Sequence, residues 1–350
     1  MEAFAATGPG QVSHTPYADV ALADLLRIRY NRIGAACEAV DAYDTRFGRW
    51  NERASVRRKA QPSLEGDGEL YFPPELVPML SHPLVTALGP AAIERLLVRR
   101  LYDYLSFTVE LEELAVMPVA MRISRGRSGL DLPGPMRADA FKIVTDEAWH
   151  AQVSFGLVKE VEQLTSVPYE SVRLPAFIDR LDAIQRRLPT ELRGAEGLLF
   201  TVVSETLISR LLSDLPQDHR LPTAVRVFVR DHAEDEGRHH AYFRSLLQHV
   251  WPSSGPSAQR QIGPWIPELI FAFLEPDYEL MGRGLHHEGL SAAEVEQVLV
   301  ESWPRTRVIS DVAEAAGAAV RYFQDVGAMD DARTHEAFVA AGLIAPCELA

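Results

Sequence analysis

Cysteine is almost missing from this sequence. Cys37 and Cys347 are the only two in 350 residues, and they lie near opposite ends of the chain. That scarcity excludes a disulfide framework and a thiolate metal centre, and it fits a reducing compartment. A metal, if one is bound, must be held through oxygen and nitrogen. Positive charge is also short: Lys and Arg number 35 against 49 Asp and Glu, a formal net charge of -14. A phosphate backbone needs a basic surface, so nucleic acid is not expected as a partner. No apolar run approaches the roughly 20 residues that span a bilayer. The start, MEAFAATGPGQVSHTPY, has neither a basic n-region nor an apolar core. No membrane partner is expected, and the chain reads as cytoplasmic. GxGxxG, P-loop and serine-elbow motifs are missing too, which leaves nucleotide-cradling folds little support.

What the sequence does contain is helical periodicity and enough apolar residues, 47% of the total, to bury a substantial core. Residues 1–16 read as a loose tail rich in small residues. Residues 17–350 read as one helical domain, since no linker is long enough to demand a second. Tyr17 to Phe47 carries apolar residues at three and four spacing, and turn-rich sequence with room for short extended pieces follows before Glu75. A long helical pattern runs from Pro90 to Ile123 and is broken by SRGRSGLDLPGP. A second runs from Pro135 or Met136 to about Ser166, a third from Thr190 to Leu215, and a fourth from Pro222 to about Trp251. Two helical hairpins result, forming a core bundle over residues 90–252. A Pro- and Ser-rich linker is expected at 252–256. Shorter helices over 262–273, 291–303, 305–327 and 330–343 are expected to wrap or cap the bundle.

One motif occurs twice. DEAWHAQVSF, from Asp146 to Phe155, and DEGRHHAYF, from Asp235 to Phe243, share Asp, Glu, two residues, His and then an aromatic. On a helix, Glu at i and His at i+3 share a face, so Glu147 with His150, and Glu236 with His239, can each offer an oxygen and a nitrogen to one metal. His232 lies one turn before Glu236 on the same stripe, with Phe228 and Phe243 above and below. A stray E-x-x-H is expected about once by chance in a helical chain of this size. Two copies, each preceded by Asp and flanked by apolar residues, point inward.

Lone carboxylates complete the pattern. Glu205 interrupts LLFTVVSETLISRLL on an otherwise apolar stripe, where an unpaired ionised acid is costly. In LYDYLSFTVELEELAVMPVA, Glu112 falls on the stripe of Leu105, Thr108 and Val119, with Glu113 as its rival. The turn 124–135 is centred almost midway between Glu112 and Glu147, so at 1.5 Å of rise per residue the two stand level. The second hairpin does nearly the same for Glu205 and Glu236. A Glu from each of two helices plus E-x-x-H from each of the other two is the layout of ferritin-like dinuclear carboxylate sites. The fold class expected is therefore all-α, a ferritin-like four-helix bundle core with additional N- and C-terminal helices. Oxygen and nitrogen ligands without sulfur favour iron or manganese over zinc, and two iron ions are expected. Asp146 and Asp235 are placed to accept the second ring N–H of a ligand His on the facing helix.

The set Glu112, Glu147-x-x-His150, Glu205 and His232-x-x-x-Glu236-x-x-His239 resembles the di-iron arylamine N-oxygenases, over a span from about Tyr71 to Trp251. His232 is the discriminating residue, because most ferritin-like sites use six protein ligands and this family adds a seventh, a His one turn before the last E-x-x-H. The resemblance implies an enzyme of specialised metabolism, such as antibiotic biosynthesis. It would activate O2 at two irons and N-oxygenate an amine, through hydroxylamine toward nitroso and nitro. It implies that one iron takes Glu112 and His150, that the other takes Glu205, His232 and His239, and that Glu147 and Glu236 bridge. It further implies an external electron donor, an amine substrate that is free or carrier-bound, and a homodimer. A di-iron C–H hydroxylase or desaturase, and a non-catalytic iron-binding ferritin-like protein, are the alternatives. Phe107, Thr108, Leu198 and Val202 are candidates for the pocket wall, and Arg122 and Arg210 for a substrate carboxylate, although packing and solvation explain each as well. Tyr104, two turns before Glu112, is the place for a radical site, a role that the seventh ligand argues against.

Overall fold

The computed structural model of the chain describes residues 43–170, 174–212 and 215–346. The expected tail over 1–16, most of the expected Tyr17–Phe47 helix, Cys37 and Cys347 lie outside these residues. The described residues form α-helices with no strand among them. In chain order they are α1 (Trp50–Arg53), α2 (Ser55–Arg58), α3 (Pro83–Thr86), α4 (Pro90–Leu111), α5 (Met117–Ser124), α6 (Gly134–Thr165), α7 (Ala176–Arg187) and α8 (Ala195–Leu211). There follow α9 (Thr223–Ser253), α10 (Gly255–Ile262), α11 (Ile266–Leu274), α12 (Tyr278–His287), α13 (Ala292–Ser302), α14 (Arg305–Asp325) and α15 (Ala332–Ala340). The all-α expectation holds.

Four long segments frame the site. α4 and α5 form one arm that packs on α6, α8 packs on α9, and α6 meets α9 across the two hairpins. Local sequence sets the boundaries. Pro90 opens α4 after Gly89, whose φ of 86° suits a residue without a Cβ. α6 runs 32 residues and stops at Ser166 in the left-handed region. At 1.5 Å per residue α6 is about 48 Å long, so it spans the bundle.

α8 is the helix around which the others wrap. Every side chain from Leu198 to Ile208 is buried, and α9, α11 and α14 cover it. A helix apolar on all sides has no solvated face, which is why it sits at the centre. Between α4 and α5 the chain makes one π turn, Glu112–Val116. Pro118 follows it, and a proline can neither donate to the preceding turn nor tolerate its carbonyl at normal spacing. The looser turn accommodates Pro118 and sets the facing of Glu112.

Several boundaries differ from expectation. Residues 43–47 are not helical, and the turn-rich stretch before Glu75 holds short helical turns where extended pieces were expected. The 252–256 linker is not a break in the fold: α9 carries Pro252 inside its last turn, and α10 starts at Gly255. α7 and α12 had no counterpart in the sequence reading. α13 begins at a capping box in which Ser291 and Glu294 satisfy each other's backbone N–H.

Candidate metal centre

The seven predicted side chains converge between α4, α6, α8 and α9. Glu112, Glu147, His150, Glu205, His232, Glu236 and His239 are each at most 1% exposed. Glu113, the rival of Glu112, is exposed. Two overlapping groups of donor atoms lie within 4.8 Å of one another: Glu112, Glu147, His150, His232 and Glu236 in one, and Glu147, Glu205, Glu236 and His239 in the other. Glu147 and Glu236 belong to both. Glu147 joins the two halves directly, with Oε2 3.0 Å from His150 Nδ1 and Oε1 2.9 Å from His239 Nδ1. Glu236 Oε1 is 3.2 Å from both His232 Nε2 and His239 Nδ1.

His232 sits differently from the arrangement the resemblance implied. It stands with Glu112 and His150, not with Glu205 and His239: its Nε2 is 3.5 Å from Glu112 Oε1, and its ring centre is 4.0 Å from that of His150. The reason is helical geometry. His232 and His239 lie on opposite sides of Glu236 along α9, about 6 Å before it and 4.5 Å after it, so they reach opposite ends of the cluster.

Two aspartates orient the imidazoles, each across to the other E-x-x-H helix. His150 Nε2 is 3.2 Å from Asp235 Oδ2, and His239 Nε2 is 3.2 Å from Asp146 Oδ2. A carboxylate only accepts, so each Nε2 carries a proton; each Nδ1 is protonated as well and donates to Glu147, the proton that a metal ion would replace. The aspartates are themselves held. Trp50 Nε1 donates to both oxygens of Asp146 at 2.9 Å. The Ser55 backbone N–H and the Arg238 guanidinium donate to Asp235, and Lys59 pairs with Asp231 at 3.1 Å. Residues 43–62 thus strap the outer sides of α6 and α9. This strap was not foreseen, because a lone tryptophan in a turn-rich stretch carries no periodic signal.

The electrostatics are those of an acid cluster in need of cations. Burial, reinforced by the neighbouring Glu147 and Glu236 charges, pushes Glu112 well above the usual carboxylate range. Glu205 is pushed up in the same way, by burial and by the other three glutamates. Burial also opposes ionisation of Glu147, but His239 and His150 outweigh it and hold the carboxyl at about 2. Glu236 is likewise lowered against its burial by His239 and His232. His150 resists burial through Asp235 and Glu147 and rises to about 9. His239 rises well above its ordinary value. Both oxygens of Glu112, His232 Nδ1, Glu205 Oε2 and Glu236 Oε2 are buried without a hydrogen-bond partner. Such orphaned groups cluster only where something outside the protein is meant to satisfy them.

The other candidates fall outside the cluster. Phe107 packs 6.0 Å from Phe177 and from Phe273 in an aromatic core. Thr108 donates to the Tyr104 carbonyl, and Leu198 and Val202 are core residues. Arg122 lies in the field of Glu196, and the Arg210 side chain is outside the described residues. Tyr104 packs 6.2 Å from Phe72 with its hydroxyl buried and unbonded. A narrow cleft lined by Ser55, Lys59, Trp149 and Phe228 reaches His150 and His232.

Fold and site together define a class: an all-α bundle whose core holds a carboxylate–imidazole centre with the donor set of a metal site. The sequence comparisons narrow this. The chain matches the family described as P-aminobenzoate N-oxygenase AurF over residues 52–327, and it belongs to that family. It is also 24% identical over 253 residues to the 4-aminobenzoate N-oxygenase of Streptomyces thioluteus, covering 70% of this chain and 75% of that one. No helix among the described residues is long and apolar enough to cross a membrane.

Proposed function

We propose that this chain is a non-haem di-iron oxygenase that uses dioxygen to oxidise the nitrogen of an aryl amine, to the hydroxylamine and onward toward nitro. Glu112, Glu147, His150, Glu205, His232, Glu236 and His239 are its metal ligands. The observation that carries this reading is the convergence of four carboxylates and three imidazoles, most with unpartnered donor atoms, all buried in the core. Hard oxygen donors mixed with imidazole, without sulfur, suit iron. Two divalent cations match four ionised carboxylates in charge. Glu147 and Glu236, shared by both donor groups, would contribute oxygens to both halves of the site. Family membership and the Streptomyces thioluteus relative supply the aryl amine as substrate class.

Iron held by these side chains would supply the electrons for the reduction of dioxygen, and an external donor would restore them. The protein's contribution is positional. Asp146 and Asp235 hold the Nε2 protons of His239 and His150, so it is the Nδ1 proton of each that metal binding would displace, leaving Nδ1 as the ligand atom. The strap over 43–62 fixes those aspartates. Phe228, its ring centre 5.6 Å from that of His232, narrows the cleft that reaches the cluster, so little bulk water meets the donor atoms.

The test is anaerobic loading of the full chain with Fe(II), reduction, and exposure to O2 with 4-aminobenzoate and a panel of aryl amines. Two metal ions per chain and hydroxylamino or nitro products are expected. Fewer than two metals per chain, or products oxidised at carbon alone, would overturn the reading.

A further inference from the structure

A second polar cavity lies away from the metal cluster. It is enclosed by α4, α12 and the chain just after α6, and Arg99, Arg100 and Arg283 all face it. Arg100 precedes Glu112 by twelve residues on the same helical arm, about 18 Å along the axis, so this cavity takes no part in chemistry at the cluster. Asp103, Glu170 and His287 also line it, between apolar residues that include Leu96, Tyr102 and Met281.

The three arginines are poorly satisfied. The Nε of each is buried with no hydrogen-bond partner. Arg100 reaches Asp103 only at 3.5 Å, and among the described residues no hydrogen bond or ion pair is formed by Arg99 or Arg283. The remaining acid on the wall, Glu170, is 2.9 Å from His287. Three guanidinium groups therefore face two carboxylates, and one positive charge is in excess in a protein whose net charge is -14. Guanidinium is the side chain best shaped for two-point recognition of a planar oxyanion, and orphaned buried N–H groups mark where such an acceptor belongs.

We infer that this cavity binds a small carboxylate with an apolar body, gripped by Arg99, Arg100 and Arg283. A monoanion balances the single excess charge, whereas a phosphate monoester would overshoot it. At about 50 Å³ the cavity has room for the carboxylate end, and the body of the ligand extends out of its open side past Leu96, Tyr102 and Met281.

The test is calorimetric titration of the full, metal-free chain with benzoate, with phenyl phosphate and inorganic phosphate as comparison arms. One saturable benzoate site is expected, weakened about tenfold or more by R99Q or R283Q, and unchanged by Glu205→Gln in the metal cluster. Arginine modification by phenylglyoxal, mapped by mass spectrometry on the unaltered chain, gives a second readout that needs no variant: benzoate should protect Arg99, Arg100 and Arg283. Failure of benzoate to bind at about 10 mM, or binding without protection of these arginines, would overturn the inference. Tighter binding of phenyl phosphate than of benzoate would overturn the choice of a carboxylate.

Discussion

Cation binding at the cluster should be visible as protons. Without cations, four glutamates cannot all ionise in so dry a space: burial and mutual repulsion keep Glu112 and Glu205 protonated, while Glu147 and Glu236 remain ionised because His150 and His239 are held charged beside them. Those six groups sum to no net charge. As metal ligands, the four carboxylates must be ionised and both imidazoles neutral, and two divalent cations then restore neutrality. The exchange is about four protons released for two cations at about pH 7. Titration calorimetry with Mn(II) or Fe(II), repeated in buffers of different ionisation enthalpy, reads that number from the slope. Glu205→Leu should abolish one of the two binding events and reduce the release by about two, the protons of Glu205 and His239. The same substitution removes a buried acid with an unpartnered oxygen, so it should stabilise the metal-free chain by about 1–3 kcal/mol against urea. Release of fewer than about one proton per chain, or a release unaffected by Glu205→Leu, would refute the charge argument.

Other outcomes follow from particular contacts. Asp146→Asn removes the carboxylate that fixes His239 and accepts from Trp50, and should weaken metal affinity about 10–100-fold in a competitive chelator titration. Tyr242 is fully buried among Tyr43, Phe47 and Phe243 with its hydroxyl unbonded. Tyr242→Phe should leave thermal stability unchanged or raise it by about 1 kcal/mol. A loss larger than that would reveal a partner for the hydroxyl. Burial, opposed by Arg100, lifts Asp103 from 3.8 to about 6. The native state therefore holds this proton where the unfolded chain has lost it, and stability falls as pH rises from about 4 to 6, with the full penalty above that window. Asp103→Asn should flatten this slope and recover about 1–3 kcal/mol at neutral pH, less whatever the 3.5 Å Arg100 contact contributes. Urea denaturation at several pH values measures both.

Much of the site could be read from spacing because it is carried on helices. The E-x-x-H of α6 and that of α9 need only a 3.6-residue period to bring Glu and His to one face, and the midpoint of each turn sets the level of Glu112 and Glu205. The crossed partnership of Asp146 with His239 and of Asp235 with His150 was legible for the same reason. The side to which His232 belongs was not. A spacing of four puts it on the stripe, on the far side of Glu236 from His239, but only the packing of the helices brings Glu112 and His150 to that end.

The sequence by itself determined the helical class, the two hairpins and six of the inward donors, with Glu112 and Glu113 as alternatives for the seventh, since periodicity and the cost of burying charge act within each segment. Tertiary structure alone decided the rest. It chose Glu112 over Glu113 through a π turn ahead of Pro118, and it brought Trp50 and Ser55 across some ninety and one hundred and eighty residues to Asp146 and Asp235. It also gathered Arg99, Arg100 and Arg283 around one cavity. Contacts so far apart in the chain leave no local pattern, because they are fixed by how whole helices pack and not by any period within one of them.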